Sequence, residues 1–370
     1  MRPAVKYIKR LRGESMIKVF DNHCHTLRRV SVEESIESFK LYAKHNNVCG
    51  MNFLSIAKDL SDMENDYMQN VKNLFLKKYF GAPYTAFAGL EHHVDLSEEE
   101  QAEEYLNQVK VYKEVGFDGL KMLEGKPNMR RIFGYKLSDP VYEKMFAYIE
   151  QIGFPVVLHN ADPKEFWHKE LCSEHALKRG WYVTPDQLKK EEMDEDVFAV
   201  MERHPNLRLG LAHFGFFSQD VEVAERFMSY KNTALDTTPG GEQYFHMLED
   251  WNNWKAFFEK YQDKIIYGSD TYNYKLTDYE NLRSVLARPT LVREFFSTDT
   301  VNHYYSDEYT GVKLDDSIVE KIFYKNAMER YGEPAKVDVE YIKARIAELK
   351  PFYKYSAFAL NDMEFILNHI

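Results

Sequence analysis

His23 and His25 stand two residues apart in DNHCHT, and His159, His213, Asp270 and Lys121 follow downstream. Residues i and i+2 of an extended strand project to the same side, so both imidazoles of the His-x-His pair can reach one ion. Three imidazoles and a carboxylate form an ordinary catalytic donor set for zinc, which keeps a further position open for water. With 13 histidines in 370 residues, such a pair arises by chance too easily to count alone. What decides is where each residue sits.

Each of these side chains belongs to a short apolar, β-branched or aromatic run that ends in polar residues. The runs read VFDNHCHT (19–26), VCGMNFLSI (48–56), YTAFAGLEHH (84–93), FDGLKML (117–123), PVVLHNA (155–161), LRLGLAHFG (207–215), NTALDTT (232–238) and KIIYGSDT (264–271). Amphipathic stretches lie between them. Ser31 followed by Glu34 predicts a capping box, Ser97 with Glu98 to Glu100 predicts a second helix start, and Gly153 before Pro155 predicts a stop. Eight strands alternating with helices predict a (β/α)8 TIM barrel, whose active site gathers at the C-terminal strand ends. An open doubly wound sheet is the competing architecture, but no glycine-rich phosphate loop follows the first strand. Residues 162–200 are expected to form an extended loop over the mouth. The barrel should occupy 17–332, with 333–370 a C-terminal helical extension of the same domain.

Composition narrows the function classes. A hydrophobic fraction of 44 % and a charged fraction of 29 % are those of a globular chain rather than a disordered one. A net charge of −11 disfavours a nucleic-acid footprint, which needs a basic surface. No run approaches the ~18 apolar residues of a membrane span, and the basic N-terminus lacks the apolar stretch of a secretory signal. Three sparse cysteines suit reducing conditions. The expectation is a cytoplasmic protein with a small-molecule substrate and neither nucleic-acid nor membrane partner. The aromatic tail PFYKYSAF (351–358) would serve either a homo-oligomer contact or packing within the chain.

The pattern resembles the amidohydrolase superfamily of metal-dependent barrel enzymes, in particular the amidohydrolase-related branch that includes aminocarboxymuconate-semialdehyde decarboxylase-like enzymes. The resemblance spans 19–332 and rests on DNHCHT, GFDGLKML, FPVVLHNADPKEFW, HPNLRLGLAHFG, IIYGSDT and KNAMERYG in that order. It implies metal ligation by His23, His25, His159 and Asp270. His213 would be a catalytic group beside the metal-bound water, or, as in other branches, a ligand of a second metal. Asp270 would also accept the proton of that water. Lys121 is either a carboxylated bridge between two metals, a grip for a substrate carboxylate, or a partner of Glu124 or Asp118. One divalent ion is expected, with zinc preferred and manganese or iron open.

Weaker candidates surround this set. His93, or its neighbour His92, would face the mouth or lie in an exposed loop. Arg130, with Arg131, would hold an anionic substrate or form a solvated turn. Trp167 sits where lids and specificity residues occur, and Asp236 would orient a ligand or merely form a turn. Gly240-Gly241 reads as a flexible turn, and EEMDEDV (191–197) as a solvated helix start. The expected activity is a metal-dependent hydrolase whose activated water attacks an amide, lactone or ester carbonyl. The alternatives are a non-oxidative decarboxylase of an aromatic or unsaturated carboxylic acid and a non-catalytic metal-binding scaffold.

Overall fold

The computed structural model describes residues 17–56, 66–93, 95–240 and 242–370. The alternation read from the sequence runs through it as β1 (Val19–His25), α1 (Val32–Asn46), β2 (Val48–Leu54), α2 (Met68–Phe80), β3 (Thr85–Gly89), α3 (Glu98–Val115) and β4 (Gly119–Gly125). Two helices, α4 (Pro127–Phe133) and α5 (Pro140–Ile152), lead to β5 (Val156–Asn160). After β5 come a 3-10 turn at Lys164–Trp167, α6 (Glu174–Lys178) and α7 (Lys190–Arg203), so the long 162–200 segment carries its own helices. The chain continues through β6 (Leu209–Leu211), α8 (Val221–Ser229), β7 (Ala234–Asp236), α9 (Gln243–Glu249), α10 (Trp251–Lys260), β8 (Ile265–Ile266) and β9 (Thr271–Tyr272). It ends with α11 (Tyr279–Ser297), a hairpin of β10 (Val301–Tyr304) and β11 (Asp307–Thr310), α12 (Asp316–Glu320), α13 (Asn326–Tyr331), α14 (Val339–Leu349) and α15 (Ala357–Asn368).

The strands form one curled sheet in the order β8-β7-β6-β5-β4-β3-β2-β1-β9, with every pairing parallel. The two terminal strands are consecutive in the chain: β8 pairs with β7 and β9 with β1. Between them the Asn22 amide donates to the Tyr267 carbonyl (2.9 Å). The eighth strand is thus broken into two short pieces that face the two edges, and the fold is TIM-barrel-like.

Local chemistry explains the helix ends. Ser31 forms the capping box and Ser97 starts the second helix as the sequence predicts, the latter also through a capping box, each accepting from the amide three residues on, and Gly153 takes the left-handed conformation after α5. The apolar helix faces pack on the outside of the sheet in one continuous core. Inside the curl, Phe20, Ala234 and Ile266 form one small cluster and Leu54, Phe87, Val157 and Ala212 another, with Tyr331 against both. Tyr331 also donates to Asn22. The interior of the curl is therefore partly filled with apolar side chains packed around Tyr331.

The C-terminal helices return to the barrel. Arg345 pairs with the buried Glu91 (2.6 Å), and Asp362 pairs with Lys72 (2.6 Å) while accepting from the Val32 amide. Phe352 and Tyr355 in the connection before α15 stay exposed, at 72 % and 91 %. Among the described residues no helix is long and apolar enough to cross a membrane.

Candidate functional site

The first strand departs from simple alternation. Asp21 faces outward, accepting from the Tyr42 hydroxyl of α1 (2.6 Å) and from the Ser269 amide (3.1 Å). Asn22 and His23 both face the interior, where Asn22 accepts from Asn52 and His23 meets Asp236. The register against β2 shifts between Asp21 and Cys24. A bulge of this kind re-aims a side chain beside a functional site, and here it turns His23 in alongside His25.

The two imidazoles then confront each other, with Nε2 of His23 3.0 Å from Nε2 of His25. Asp270 Oδ1 lies 3.9 Å from the first and 3.6 Å from the second. At the far sides, His25 Nδ1 lies 2.9 Å from the Leu54 carbonyl and His23 Nδ1 lies 2.8 Å from Asp236 Oδ2. A carbonyl can only accept, so His25 carries its hydrogen on Nδ1, and the carboxylate asks the same of His23. Burial drives His23 well below its ordinary pKa and holds His25 at about 4, so both rings are neutral. Two ring lone pairs and a carboxylate oxygen converge on one point. An ion with bonds of about 2.1 Å to nitrogen spaces its donor atoms about 3.0–3.4 Å apart. The two imidazoles match that spacing and Asp270 Oδ1 lies a few tenths of an ångström wider, so that these three, the cluster of this kind among the described residues, could close on such an ion.

The surrounding side chains hold these donors in place. Asp270 Oδ2 accepts from the Tyr272 hydroxyl (3.0 Å) and from Arg288 Nη1 (2.7 Å), leaving Oδ1 toward the histidines. Lys121 Nζ stands 3.4 Å from His23 Nε2. Neither structural partner expected for Lys121 engages it through a hydrogen bond, because Glu124 bonds His92 and Asp118 bonds Lys77. Burial lowers Lys121 to about 8, against the opposing pull of Asp236, Asp270 and Glu124. His213 stacks edge-on to His159 (centroids 4.7 Å) and lies 5.3 Å from the His23 ring. Its Nδ1 is 3.2 Å from the Pro239 carbonyl, and burial keeps it neutral.

The backbone is strained where these groups are presented. Ala161, His213, Phe214, Phe216 and Asp270 are non-glycine residues at φ between 53° and 57°, beyond the ends of β5, β6 and β8. With Gly215, residues 213–216 make a left-handed turn, a conformation that costs roughly 1–2 kcal/mol per ordinary residue.

The remaining candidates lie outside the three converging donors. His159 is not one of the three converging donors. Its Nε2 lies 3.3 Å from Asp162 Oδ1, because Asp162 and Lys126 form a buried ion pair beside it. His93 is half exposed beside Glu104 (3.8 Å) and stays away from the group. His92 is buried between the Tyr105 hydroxyl and Glu124, on the helix side of the sheet. Arg130 is neither solvated nor free for an anion: it pairs with Asp196 (2.6 Å) and reaches Asn160 (3.3 Å), locking α4 to α7. The 191–197 run is accordingly not all solvated, since Asp194 and Asp196 are buried. Trp167 donates its indole N–H to the Leu188 carbonyl (2.9 Å) within the long loop. Gly240 presses on His213, and Gly241 lies outside the described residues. No local motif marks Arg288 or Tyr272, whose roles arise only where α11 and β9 meet Asp270.

The amidohydrolase family profile matches residues 72–332, and the chain belongs to that family. Solved structures similar to it include an IDCase, a decarboxylase and a hydratase. Apo IDCase from Metarhizium anisopliae is 12 % identical, covering 85 % of this chain and 97 % of that one, at TM-score 0.52. The 2,6-dihydroxybenzoate decarboxylase from Rhizobium is 14 % identical, covering 85 % and 99 %, at 0.50. The 4-oxalomesaconate hydratase from Rhodopseudomonas palustris is 12 % identical, covering 91 % and 99 %, at 0.49. No curated protein matches the chain.

Proposed function

We propose that this amidohydrolase-family chain is a hydrolase that turns water on an amide, lactone or ester carbonyl of a small molecule. One divalent ion, zinc by preference, would be held by His23, His25 and Asp270, with His159 the candidate for a further donor. When bound, such an ion lowers the pKa of a ligated water to ~7 and polarises a carbonyl oxygen.

The observation that carries the reading is the contact of His213 Nδ1 with the Pro239 carbonyl. That nitrogen therefore bears the hydrogen, which leaves Nε2 as a lone pair in a neutral ring. Such a group is poised to take a proton from water. Asp270 Oδ1 is the second acceptor, since its other oxygen is filled by Tyr272 and Arg288. His213, once protonated, returns the proton to the leaving group. The three free cysteines, Cys24, Cys49 and Cys172, accord with a reaction in the cytoplasm.

Lys121 favours a second reading. A buried amine 3.4 Å from His23 Nε2 would hold the carboxylate of a substrate that loses CO2 and is then protonated on carbon. Turnover in H2 18O on a panel of small amides, lactones, esters and unsaturated carboxylic acids separates the two. Hydrolysis places one 18O in the product acid. Captured CO2, with solvent deuterium on carbon in D2O, would instead establish the decarboxylase. Stoichiometric zinc with no turnover on either arm would leave a metal-binding scaffold.

A further inference from the structure

Asp236 ends the three-residue strand β7 and is not one of the converging ion donors. Everything that meets its carboxylate is a hydrogen-bond donor. Oδ1 accepts from the backbone amides of His213 (2.9 Å) and Thr238 (3.1 Å). Oδ2 accepts from His23 Nδ1 at 2.8 Å, with Asn22 Nδ2 at 3.5 Å. Backbone amides cannot reverse their polarity, so Oδ1 is committed, and His23 must present N–H to Oδ2.

We infer that Asp236 is a positioning residue that fixes the tautomer of His23 and, through the same carboxylate, anchors the left-handed turn that carries His213. The inference rests on the reading of His23 as an ion ligand. A hydrogen on His23 Nδ1 leaves the lone pair on Nε2, the atom 3.0 Å from His25 Nε2. The other tautomer would put N–H at that point, where no cation could be ligated. The second oxygen works on β6: it holds the His213 amide, whose residue opens the turn at φ 54°. A plain turn-forming aspartate needs only the Thr238 amide two residues on. The contacts to β1 and β6 are what that simpler role leaves unexplained. Outer carboxylates that orient a ligating histidine change metal affinity by about 10–100-fold when replaced.

Asp236→Asn is the discriminating variant, because asparagine offers one acceptor and one donor to partners that are all donors. Its NH2 must oppose either His23 or the two amides, and His23 relieves the conflict by moving its hydrogen to Nε2. Two measurements on the full chain test this. In 15N-histidine-labelled, zinc-free protein, His23 should be the Nδ1–H tautomer in wild type and shift toward Nε2–H in the variant. In chelator competition with zinc alone, the variant should bind about 10–100-fold more weakly. A wild-type His23 protonated on Nε2 overturns the inference, as does an Asp236→Asn protein that binds zinc within twofold of wild type. The wild-type tautomer decides the question even where the variant does not fold. Wild type that binds no zinc would defeat the ion site itself, while the tautomer would still report on Asp236.

Discussion

Asp270→Asn separates the ion site from the fold. In the native site, Oδ2 of Asp270 receives two donors, the Tyr272 hydroxyl at 3.0 Å and Arg288 Nη1 at 2.7 Å. An asparagine carbonyl must take that side, which turns its NH2 toward the imidazoles. Their Nε2 atoms lie 3.6 and 3.9 Å from the Oδ1 position, so the amide would donate to the lone pairs that a cation needs. Ligation is lost, yet the surrounding hydrogen bonds survive. A bound ion stabilises the native state by about 2.7 kcal/mol when free ion is 100 times its Kd. Unfolding entropy is about 2.1 cal/mol/K per residue, which over 370 residues gives roughly 0.8 kcal/mol/K. Saturating zinc should therefore raise the wild-type Tm by about 3–4 °C. Scanning calorimetry of chelator-stripped, dialysed protein at rising zinc checks this, and the variant should show almost no shift. A full wild-type shift in Asp270→Asn would refute the assignment of Asp270 as a donor and, with it, the geometry of the site.

Other perturbations bear on neighbouring parts of the site. Elemental analysis should find one ion per chain in wild type and in Lys121→Ala; two falling to one would instead establish a lysine bridge. A Cβ on Gly240 would sit 2.8 Å from the Phe216 ring and 2.9 Å from His213 Nδ1. Gly240→Ala should therefore push His213 off the Pro239 carbonyl, lowering kcat by tenfold or more on any turned-over substrate, with overpacking costing about 1–3 kcal/mol in chemical denaturation. Asp194, buried against Lys190, is pushed up by burial from 3.8 to about 6. Its contribution to stability is fully present below about pH 3.8 and lost as pH rises through about 6. Relative to wild type, the stability of Asp194→Asn should therefore rise as pH climbs from 4 to 7; parallel pH curves would show that Asp194 titrates normally.

How much of this was legible in the sequence depends on the range of the interaction. The strands could be read because alternation of runs and caps is local: Ser31 and Glu34 meet across one helical turn. His23, His25 and Asp270 could be placed because each closes its own run, and strand ends of such a fold share one face. What depends on distant partners could not be read. His159 turns toward Asp162 because Lys126, on another strand-to-helix connection, is paired there. Arg130 looks like half of a basic turn until Asp196, 66 residues on, is brought against it. Asp236 could be weighed but not decided, since its meaning lies in the bond to His23, 213 residues away. The inward turn of His23 comes from a register shift against β2, which no property of DNHCHT by itself specifies.

The distribution of backbone strain gives an independent reason to locate function at this end of the fold. Among the described residues eight non-glycine residues have positive φ, and five of them are Ala161, His213, Phe214, Phe216 and Asp270, just beyond three strands. At about 1–2 kcal/mol each, the five together cost several kcal/mol, a sum comparable with the whole net stability of an ordinary domain. Packing alone does not demand it, because the apolar clusters inside the curl around Tyr331 include none of these five residues. The strain is retained where Asp236 holds the His213 amide and where Arg288 grips both the Asp270 carbonyl and its carboxylate. Surroundings that over-determine an unfavourable conformation mark a site whose geometry matters more than its local energy. Relaxing the 213–216 turn would move the His213 ring away from His23 and His159, and relaxing Asp270 would withdraw Oδ1 from the two imidazoles. The same few residues thus carry the strain and the chemistry, which is the expected relation if the strained backbone is what holds the donors in place.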